Sequence, residues 1–219
     1  MAVGGAHPRL CQHGAVTNRV SRIVLTGGPG AGKTTAADLF RREIGDSVVV
    51  VPESATTLFA GGFPRIDHDD VQRSIQRAVF EVQASSEEIH RELYPDRVLL
   101  CDRGTIDGAA YWPDGTAGFF EAMDTTYEAE LARYDVVLFF ETSAVGGIAF
   151  EGGNRYRTED NQQAVELDLR LRELWSAHPG YHFIAHESSF LAKLTNALRI
   201  LGDVVDNGWP PSAESSLPG

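Results

Sequence analysis

The sequence predicts an α/β protein in which helices sandwich a five-stranded parallel sheet. Three observations predict this fold: short runs rich in β-branched residues, helical apolar periodicity between the runs, and a glycine-rich turn directly after the first run. Strands that alternate regularly with helices are typical of a parallel sheet covered on both faces. The 219 residues suit one such domain.

In the first half of the chain, we expect strands at 22–26 and 47–52. A helix should run from Lys33 to a stop at Gly45. The glycine-containing loop 59–65 is long enough to be a candidate lid. A long helix is expected over 69–93, with a core face formed by Val71, Ile75, Ala78, Val79, Val82 and Ile89.

In the second half, we expect strands at 97–102, 135–140 and 181–184. Three helices are expected between and after them, the last capped by Ser188 or Ser189. Their apolar faces are Phe119, Phe120, Met123, Tyr127 and Leu131; Ala164, Leu167, Leu171 and Leu174; and Leu191, Leu194, Leu198 and Leu201. The predicted organisation is a flexible leader at 1–21, one domain at 22–205 and a disordered tail at 206–219.

The composition excludes several classes of protein. Nineteen basic residues against 31 acidic ones give a net charge of −12, which disfavours binding to nucleic acid. No apolar stretch approaches the roughly 20 residues that span a bilayer, and the start lacks the apolar core of a signal peptide. Two cysteines, Cys11 and Cys101, cannot form a disulfide framework, so we expect a reduced, cytoplasmic protein.

The strongest motif is a complete P-loop, which follows the first strand and opens a helix. Its backbone N–H groups are expected to wrap phosphates, its lysine to reach the β- and γ-phosphates, and its first threonine to hold Mg²⁺. An accidental glycine-rich turn is the competing interpretation, but the lysine is one of only two in the chain, the other being Lys193. The predicted nucleotide-binding residues are Gly27, Gly28, Pro29, Gly30, Ala31, Gly32, Lys33, Thr34 and Thr35.

Acidic and basic residues follow the second and third strands. Glu53 should face the same crevice as the P-loop, as a base for a substrate hydroxyl, or else serve only as a helix N-cap or a solvated turn residue. Asp102 closes the third strand, where P-loop proteins place a Mg²⁺ carboxylate, and Arg103 beside it can stabilise phosphoryl charge. The competing interpretation is a simple Asp102–Arg103 salt bridge.

A glycine-led segment at 152–157 carries Arg155 and Arg157, which suit a lid that closes over phosphates, although a solvated loop fits too. Amides and aromatic rings on the long helix can read and stack a base, and a merely solvated face is the alternative. The candidate substrate contacts are Arg65, Gln76, Phe80, Gln83, Asp107 and Tyr111.

Together, the P-loop, the 51–53 and 102–104 motifs and the 154–157 segment resemble a family of small P-loop AAA-type ATP/GTP-binding domains. That family is similar to the kinase domain of bacterial nicotinamide-riboside kinases and to the TRPL translocation defect protein of animals. More distantly, the chain resembles deoxyribonucleoside and thymidylate kinases. The resemblance covers about residues 22 to 205.

The resemblance implies a sheet with strand order 2-3-1-4-5. It also implies that Glu53 is the base, that Asp102 and Arg103 are the acid–arginine pair, and that Arg155 and Arg157 are lid residues. One position departs from the pattern, because nucleoside kinases carry Ser where this chain has Gly104.

Two functional classes follow. The first is a Mg-ATP-dependent kinase that phosphorylates a small metabolite, a nucleoside or nucleotide above all. The second is a nucleotide-dependent switch or NTPase whose output is a protein or lipid contact. Both require ATP or GTP with Mg²⁺, whereas only a kinase needs a small-molecule acceptor and its pocket. A homodimer remains an open alternative to a monomer.

Overall fold

Five strands pair in one all-parallel sheet with the predicted order β2-β3-β1-β4-β5. The computed structural model describes residues 22–146, 161–187 and 189–207. The strands are β1 (Arg22–Thr26), β2 (Val48–Val51), β3 (Val98–Asp102), β4 (Val136–Phe140) and β5 (Tyr181–Ile184). In the same residues the α-helices are α1 (Lys33–Ile44), α2 (Ser54–Ala60), α3 (Asp69–Leu93), α4 (Thr116–Ala122), α5 (Tyr127–Leu131), α6 (Asn161–Trp175) and α7 (Phe190–Asn207).

Both faces of the sheet are buried, because side chains alternate along each strand. On β1, Ile23 and Leu25 face one side, where α1 and α7 pack. Val24 faces the other side, where residues of α3, α4 and α6 pack. The fully buried Phe40 and Trp175 anchor the two layers. The fold prediction is therefore confirmed, including the strand order.

The register of the sheet places the carboxyl ends of β1, β2, β3 and β4 at the same edge. Leu25 of β1 pairs with Asp102 of β3, and Thr26 pairs with Phe139 of β4. Val51 of β2 pairs with Cys101, so the residues that follow β2 emerge beside Asp102. Turns that leave this edge consequently meet above β1, where ligands bind in open α/β sheets.

Two local predictions were wrong, and one short helix was missed. The loop 59–65 begins inside α2, a short helix that was concealed by its two threonines and by the two glycines that follow it. The single helix expected over 119–131 is divided into α4 and α5 by a turn that Asp124 makes at a φ of +52°. A 3₁₀ helix at Thr105–Tyr111 was not anticipated, because it carries no apolar periodicity.

The buried face of α3 also differs from the predicted one. Val82 and Ile89 are 36% and 55% exposed, so they do not belong to the core. The buried face instead combines two apolar residues with three polar ones, Ile75, Gln76, Phe80, Gln83 and Glu87. A hydropathy pattern misses such a face because Gln83 and Glu87 are hydrogen-bonded by partners elsewhere in the chain.

The last helix is capped as predicted, because the Ser189 hydroxyl accepts the Ala192 N–H at 3.3 Å. Leu191 is 71% exposed and lies outside the core, contrary to its predicted place on the apolar face. The helix continues to Asn207, two residues past the predicted end of the domain at 205. Within the described ranges, no helix is both long and apolar enough to span a membrane.

Candidate nucleotide and acceptor site

The P-loop turn connects β1 to α1, and its glycines are required by close contacts. Gly27 has a φ of +126°, and a Cβ there would lie 2.0 Å from the Phe140 carbonyl oxygen. Gly32 has a φ of +90° and is the N-cap of α1. Since glycine has no side chain to cap the helix, an anion can take the capping position.

Lys33 occupies the interior of this turn. Its ammonium donates to the carbonyl oxygens of Gly27 and Gly28 at 2.7 and 2.8 Å, and the residue is 3% exposed. A cation held inside a ring of backbone groups is suited to neutralise the phosphates of a nucleotide. Thr35, the last residue predicted to bind the nucleotide, is exposed on the first turn of α1.

Thr34 and Asp102 form the candidate magnesium site. The Thr34 hydroxyl donates to Asp102 Oδ2 at 2.7 Å, and Asp102 is 2% exposed. Asp102 Oδ1 is buried without a hydrogen-bond partner among the described residues. Burial raises the pKa of Asp102, and the Glu53 charge adds to this rise. A hydroxyl and an unsatisfied carboxylate oxygen fit Mg²⁺, which would neutralise phosphate charge there.

Glu53 and Arg103 form an ion pair between the ends of β2 and β3. Arg103 Nε donates to Glu53 Oε1 at 2.7 Å, and Thr56 donates to Glu53 Oε2 at 2.5 Å. Burial acts to raise the pKa of Glu53, but Arg103, Thr56 and Lys33 outweigh it and lower the pKa to about 2. Glu53 holds the N-cap position of α2 without capping it, so its side chain turns to the crevice as an ionised carboxylate.

Arg103 is held in an unusual conformation by contacts on several sides. Its φ of +72° is rare for a residue with a side chain. Its N–H donates to Leu25 O at 3.0 Å, and its guanidinium donates to Asp107 Oδ2 at 2.9 Å. Its carbonyl accepts from Gln83 Nε2 at 3.1 Å. A strained residue fixed by its surroundings is typical of a functional site.

Asp107 lies behind this pair. Its Oδ1 accepts hydrogen bonds from the Thr26 hydroxyl at 2.8 Å and from the Trp175 indole at 2.7 Å. With Arg103 on Oδ2, both carboxylate oxygens have partners in the protein. This carboxylate therefore orients the Arg103 guanidinium rather than reaching out of the site.

The packing of neighbouring side chains explains why position 104 is a glycine. A Cβ at Gly104 would lie 2.8 Å from Trp175 Cζ2 and 3.0 Å from the Tyr134 hydroxyl. Since the φ of −118° suits any residue, the constraint comes from the neighbours alone. The serine that nucleoside kinases carry at this position does not fit here without movement of Trp175.

A cavity of about 420 Å³ opens beside the Glu53–Arg103 pair and reaches Pro29 of the P-loop. Apolar residues of α2 and α3 line it, among them Phe59, Ile75 and Val79. Four of the predicted substrate contacts also line it, Arg65, Gln76, Asp107 and Tyr111. Arg65 is exposed and stacks on the Phe59 ring at 4.0 Å.

Two predicted substrate contacts have other roles. Phe80 does not line this cavity and packs edge-to-face on Phe119, with ring centroids 5.9 Å apart. The Gln83 amide is fully used, because it accepts from Ser54 and donates to Glu87 and to the Arg103 carbonyl. The predicted lid residues Arg155 and Arg157 lie outside the described residues.

The sequence interpretation missed the groups around the outside of the P-loop. Asp168 Oδ1 on α6 accepts the Gly28 N–H at 2.7 Å, and Thr142 Oγ1 donates to Pro29 O at 2.6 Å. Lys193 Nζ on α7 donates to Ala31 O at 3.1 Å. Only two features of the sequence could have pointed to these groups. They are the acidic residue on the apolar face of α6 and the scarcity of lysine.

A family model described as an AAA domain matches residues 22–190, more than half of the chain. The chain belongs to this AAA-domain family. None of the curated proteins matches the chain. The P-loop fold of this AAA-domain protein implies nucleotide binding.

Two solved structures share the fold of this AAA-domain protein. Deoxyadenosine kinase from M. mycoides, solved with bound dATP, has a TM-score of 0.60 and 12% identity, covering 83% of this chain and 99% of its own. NadR protein, solved with NAD and AMP-PNP, has a TM-score of 0.57 and 15% identity, covering 85% of this chain and 50% of its own. The AAA-domain chain therefore spans about half of NadR.

Proposed function

We propose that this protein is a magnesium-dependent kinase that transfers the γ-phosphoryl group of ATP or GTP to a small metabolite, a nucleoside or nucleotide. The main observation behind this proposal is the cavity of about 420 Å³ that joins the Glu53–Arg103 pair to Pro29 of the P-loop. A nucleotide switch needs no such acceptor cavity, whereas a kinase does. Two proteins of like fold support the proposal: a deoxyadenosine kinase solved with dATP, and NadR protein solved with NAD and AMP-PNP.

In this proposal Lys33 and the backbone of the P-loop bind the triphosphate, and Thr34 and Asp102 hold the metal ion. Mg²⁺, when bound, neutralises charge on the phosphates. Arg103 is placed to stabilise charge on the transferred group, and Glu53 to orient the acceptor hydroxyl. The apolar wall of the cavity then receives the ring system of the acceptor, and the Gln76 amide offers donors and acceptors to its edge.

Glu53 acts mainly by position. A carboxylate with a pKa of about 2 is a weak proton acceptor while Arg103 holds it. Phosphoryl transfer passes through a loose transition state that depends more on alignment and charge than on a strong base. We therefore expect Glu53 to hold the hydroxyl in line and to take its proton only late in the transfer.

The test begins with a screen of nucleosides and nucleotides for stimulated ADP or GDP release. With the best acceptor, single-turnover transfer from labelled triphosphate is compared between the parent, Glu53→Gln and the control Glu88→Gln. Glu88 is an exposed acid on α3, away from the cavity. We expect Glu53→Gln to keep triphosphate affinity and to lose about 10²-fold in transfer rate, at the low end for an acid–base group. An unaltered rate, or no stimulating acceptor, rejects the kinase and leaves the switch.

Arg155 and Arg157 are proposed as the lid that covers the phosphates during transfer. In the same single-turnover experiment, Arg155→Ala and Arg157→Ala should slow transfer more than they weaken ground-state nucleotide binding. Exposed Arg199 on α7 provides the matched control, Arg199→Ala. Parent-like transfer in both lid variants would remove them from the site.

A further inference from the structure

The five peptide groups of the P-loop turn that begin at residues 27 to 31 each have a side-chain partner that fixes their direction. On the inner side, Gly27 O and Gly28 O accept from the Lys33 ammonium at 2.7 and 2.8 Å. On the outer side, the Gly28 N–H donates to Asp168 Oδ1 at 2.7 Å. Because C=O and N–H of a trans peptide point in opposite directions, the Asp168 contact turns Gly27 O toward Lys33.

The next three peptides are held from the outside by their carbonyl groups. Pro29 O accepts from the Thr142 hydroxyl at 2.6 Å, and Gly30 O accepts from the Ser143 hydroxyl at 3.1 Å. Ala31 O accepts from the Lys193 ammonium at 3.1 Å. By the same peptide geometry, the N–H groups that follow these carbonyls point inward, toward the place of the phosphates.

One contact checks this geometry independently. The Ala31 N–H belongs to the peptide whose carbonyl Ser143 holds, and it lies 3.4 Å from Gly28 O on the inner side. Gly28 O is the same oxygen that accepts from Lys33. The inner and outer directions assigned to the turn are therefore consistent with each other.

Lys193 occupies a position in the fold where a lysine is unfavourable. It is 2% exposed and lies in the first turn of α7, where the helix dipole disfavours a positive charge. Its ammonium also donates to Glu141 O at 2.5 Å, which ties the P-loop to the end of β4. A local rule broken in this way is typical of residues that serve a site.

We propose that Lys193, Thr142 and Ser143 form an outer clamp that orients the P-loop N–H groups for the triphosphate. Each of the three holds a P-loop carbonyl oxygen from the side opposite the inward-pointing N–H groups, so all three are positioning residues. The inference rests on triphosphate binding at the P-loop and not on phosphoryl transfer. It predicts that removal of the clamp weakens nucleotide binding while Lys33 stays in place.

The first measurement is Mg-ATP and Mg-GTP affinity by equilibrium dialysis. Lys193→Met removes the ammonium and keeps the length of the side chain, and Arg199→Met removes an exposed cation from the same helix as the control. We expect about 10- to 100-fold weaker binding in Lys193→Met, since a hydrogen bond to a charged group is lost, and no change in the control. Lys193→Arg should recover part of the affinity.

A second pair of variants serves if Lys193→Met fails to fold. Thr142→Val is isosteric and Ser143→Ala is small, so both keep the packing of the buried loop after β4. Each should weaken nucleotide binding by about 3- to 10-fold, the worth of one neutral hydrogen bond. Folded variants that bind like the parent would overturn the clamp.

The pH profile separates positioning from structure. Burial lowers the pKa of Lys193 to about 8, although the charges of three acidic residues act to raise it. These residues are Asp168 on α6, Glu141 after β4 and Glu187 before α7. Because the charged form holds the loop, affinity of the parent should fall as pH rises through about 8, whereas Lys193→Arg stays level from pH 7.5 to 9.5. Parallel profiles would overturn the inference. A parent that binds nucleotide but phosphorylates no acceptor refutes the kinase and leaves the clamp standing.

Discussion

The Asp107 carboxylate accepts hydrogen bonds from β1, from α6 and from the turn after β3, and only part of this arrangement could be predicted from the sequence. Its nearness to Arg103 could be predicted, because the two lie four positions apart in the chain. Its contacts with Thr26 and Trp175 could not, because those partners are 81 and 68 residues away. The sequence thus placed Asp107 beside Arg103 and the cavity, but it did not show that Thr26 and Trp175 also hold its carboxylate.

Gly104 provides a prediction at the same scale. Gly104→Ser should lower the free energy of unfolding by about 1–3 kcal/mol, because its Cβ would press on the Trp175 ring. Gly202→Ser is the matched control, since nothing lies within 4 Å of a Cβ placed there. Urea unfolding of both variants measures the difference. Equal stabilities would show that the Trp175 contact does not restrict position 104.

Helix α3 shows where sequence patterns fail at the scale of an element. Its bounds agree with those predicted, because its length and acidic first turn are local properties. Its buried face was assigned wrongly, because Gln83 and Glu87 look like surface residues in the sequence. They are buried because Ser54, Tyr134, Arg133 and the Arg103 carbonyl supply their hydrogen bonds. No hydropathy scale contains that information.

The two faces of α3 therefore predict opposite outcomes at neighbouring positions. Gln83→Leu should lower the free energy of unfolding by about 2–4 kcal/mol, because Ser54, Glu87 and the Arg103 carbonyl each lose a hydrogen bond in a buried site. Val82→Gln should change stability by less than about 0.5 kcal/mol, since the exposed position tolerates a polar group. Chemical denaturation tests the pair. If Val82→Gln lowered the free energy of unfolding more than Gln83→Leu did, the result would support the orientation of α3 predicted from the sequence.

At the scale of the whole molecule, the alternation of strands and helices predicted the parallel sheet and the edge where the motifs meet, because chain topology permits few arrangements of a βα repeat. The strand order was implied by the resemblance to small P-loop domains, and the structure confirms it. The balance of charges inside the site does not follow from topology. The buried Asp102 and the partly buried Glu53 both lie near Lys33 and Arg103, and their pKa values shift in opposite directions.

This balance predicts an acid-dependent loss of stability. The folded pKa of Glu53 is about 2, below its ordinary value of 4.5, so its ionised form stabilises the fold above pH 4.5. That contribution is lost as pH falls from 4.5 toward 2, because the unfolded chain binds the proton first. Without Mg²⁺, the stability of the parent should fall more steeply across this window than that of Glu53→Gln, measured by thermal unfolding. Superimposed profiles would contradict the Glu53–Arg103 ion pair.

The hydrogen bond from the Trp175 indole to Asp107 also gives the molecule an optical reporter. Indole emission responds to nearby charge, and this indole is bonded to the carboxylate that orients the Arg103 guanidinium. Trp112 packs in the aromatic cluster around Phe119, and replacement of Trp112 and Trp209 by Phe leaves Trp175 as the single tryptophan of the sequence. Any ligand that moves Arg103 would then be visible in the fluorescence of Trp175, without a label and before any reaction occurs.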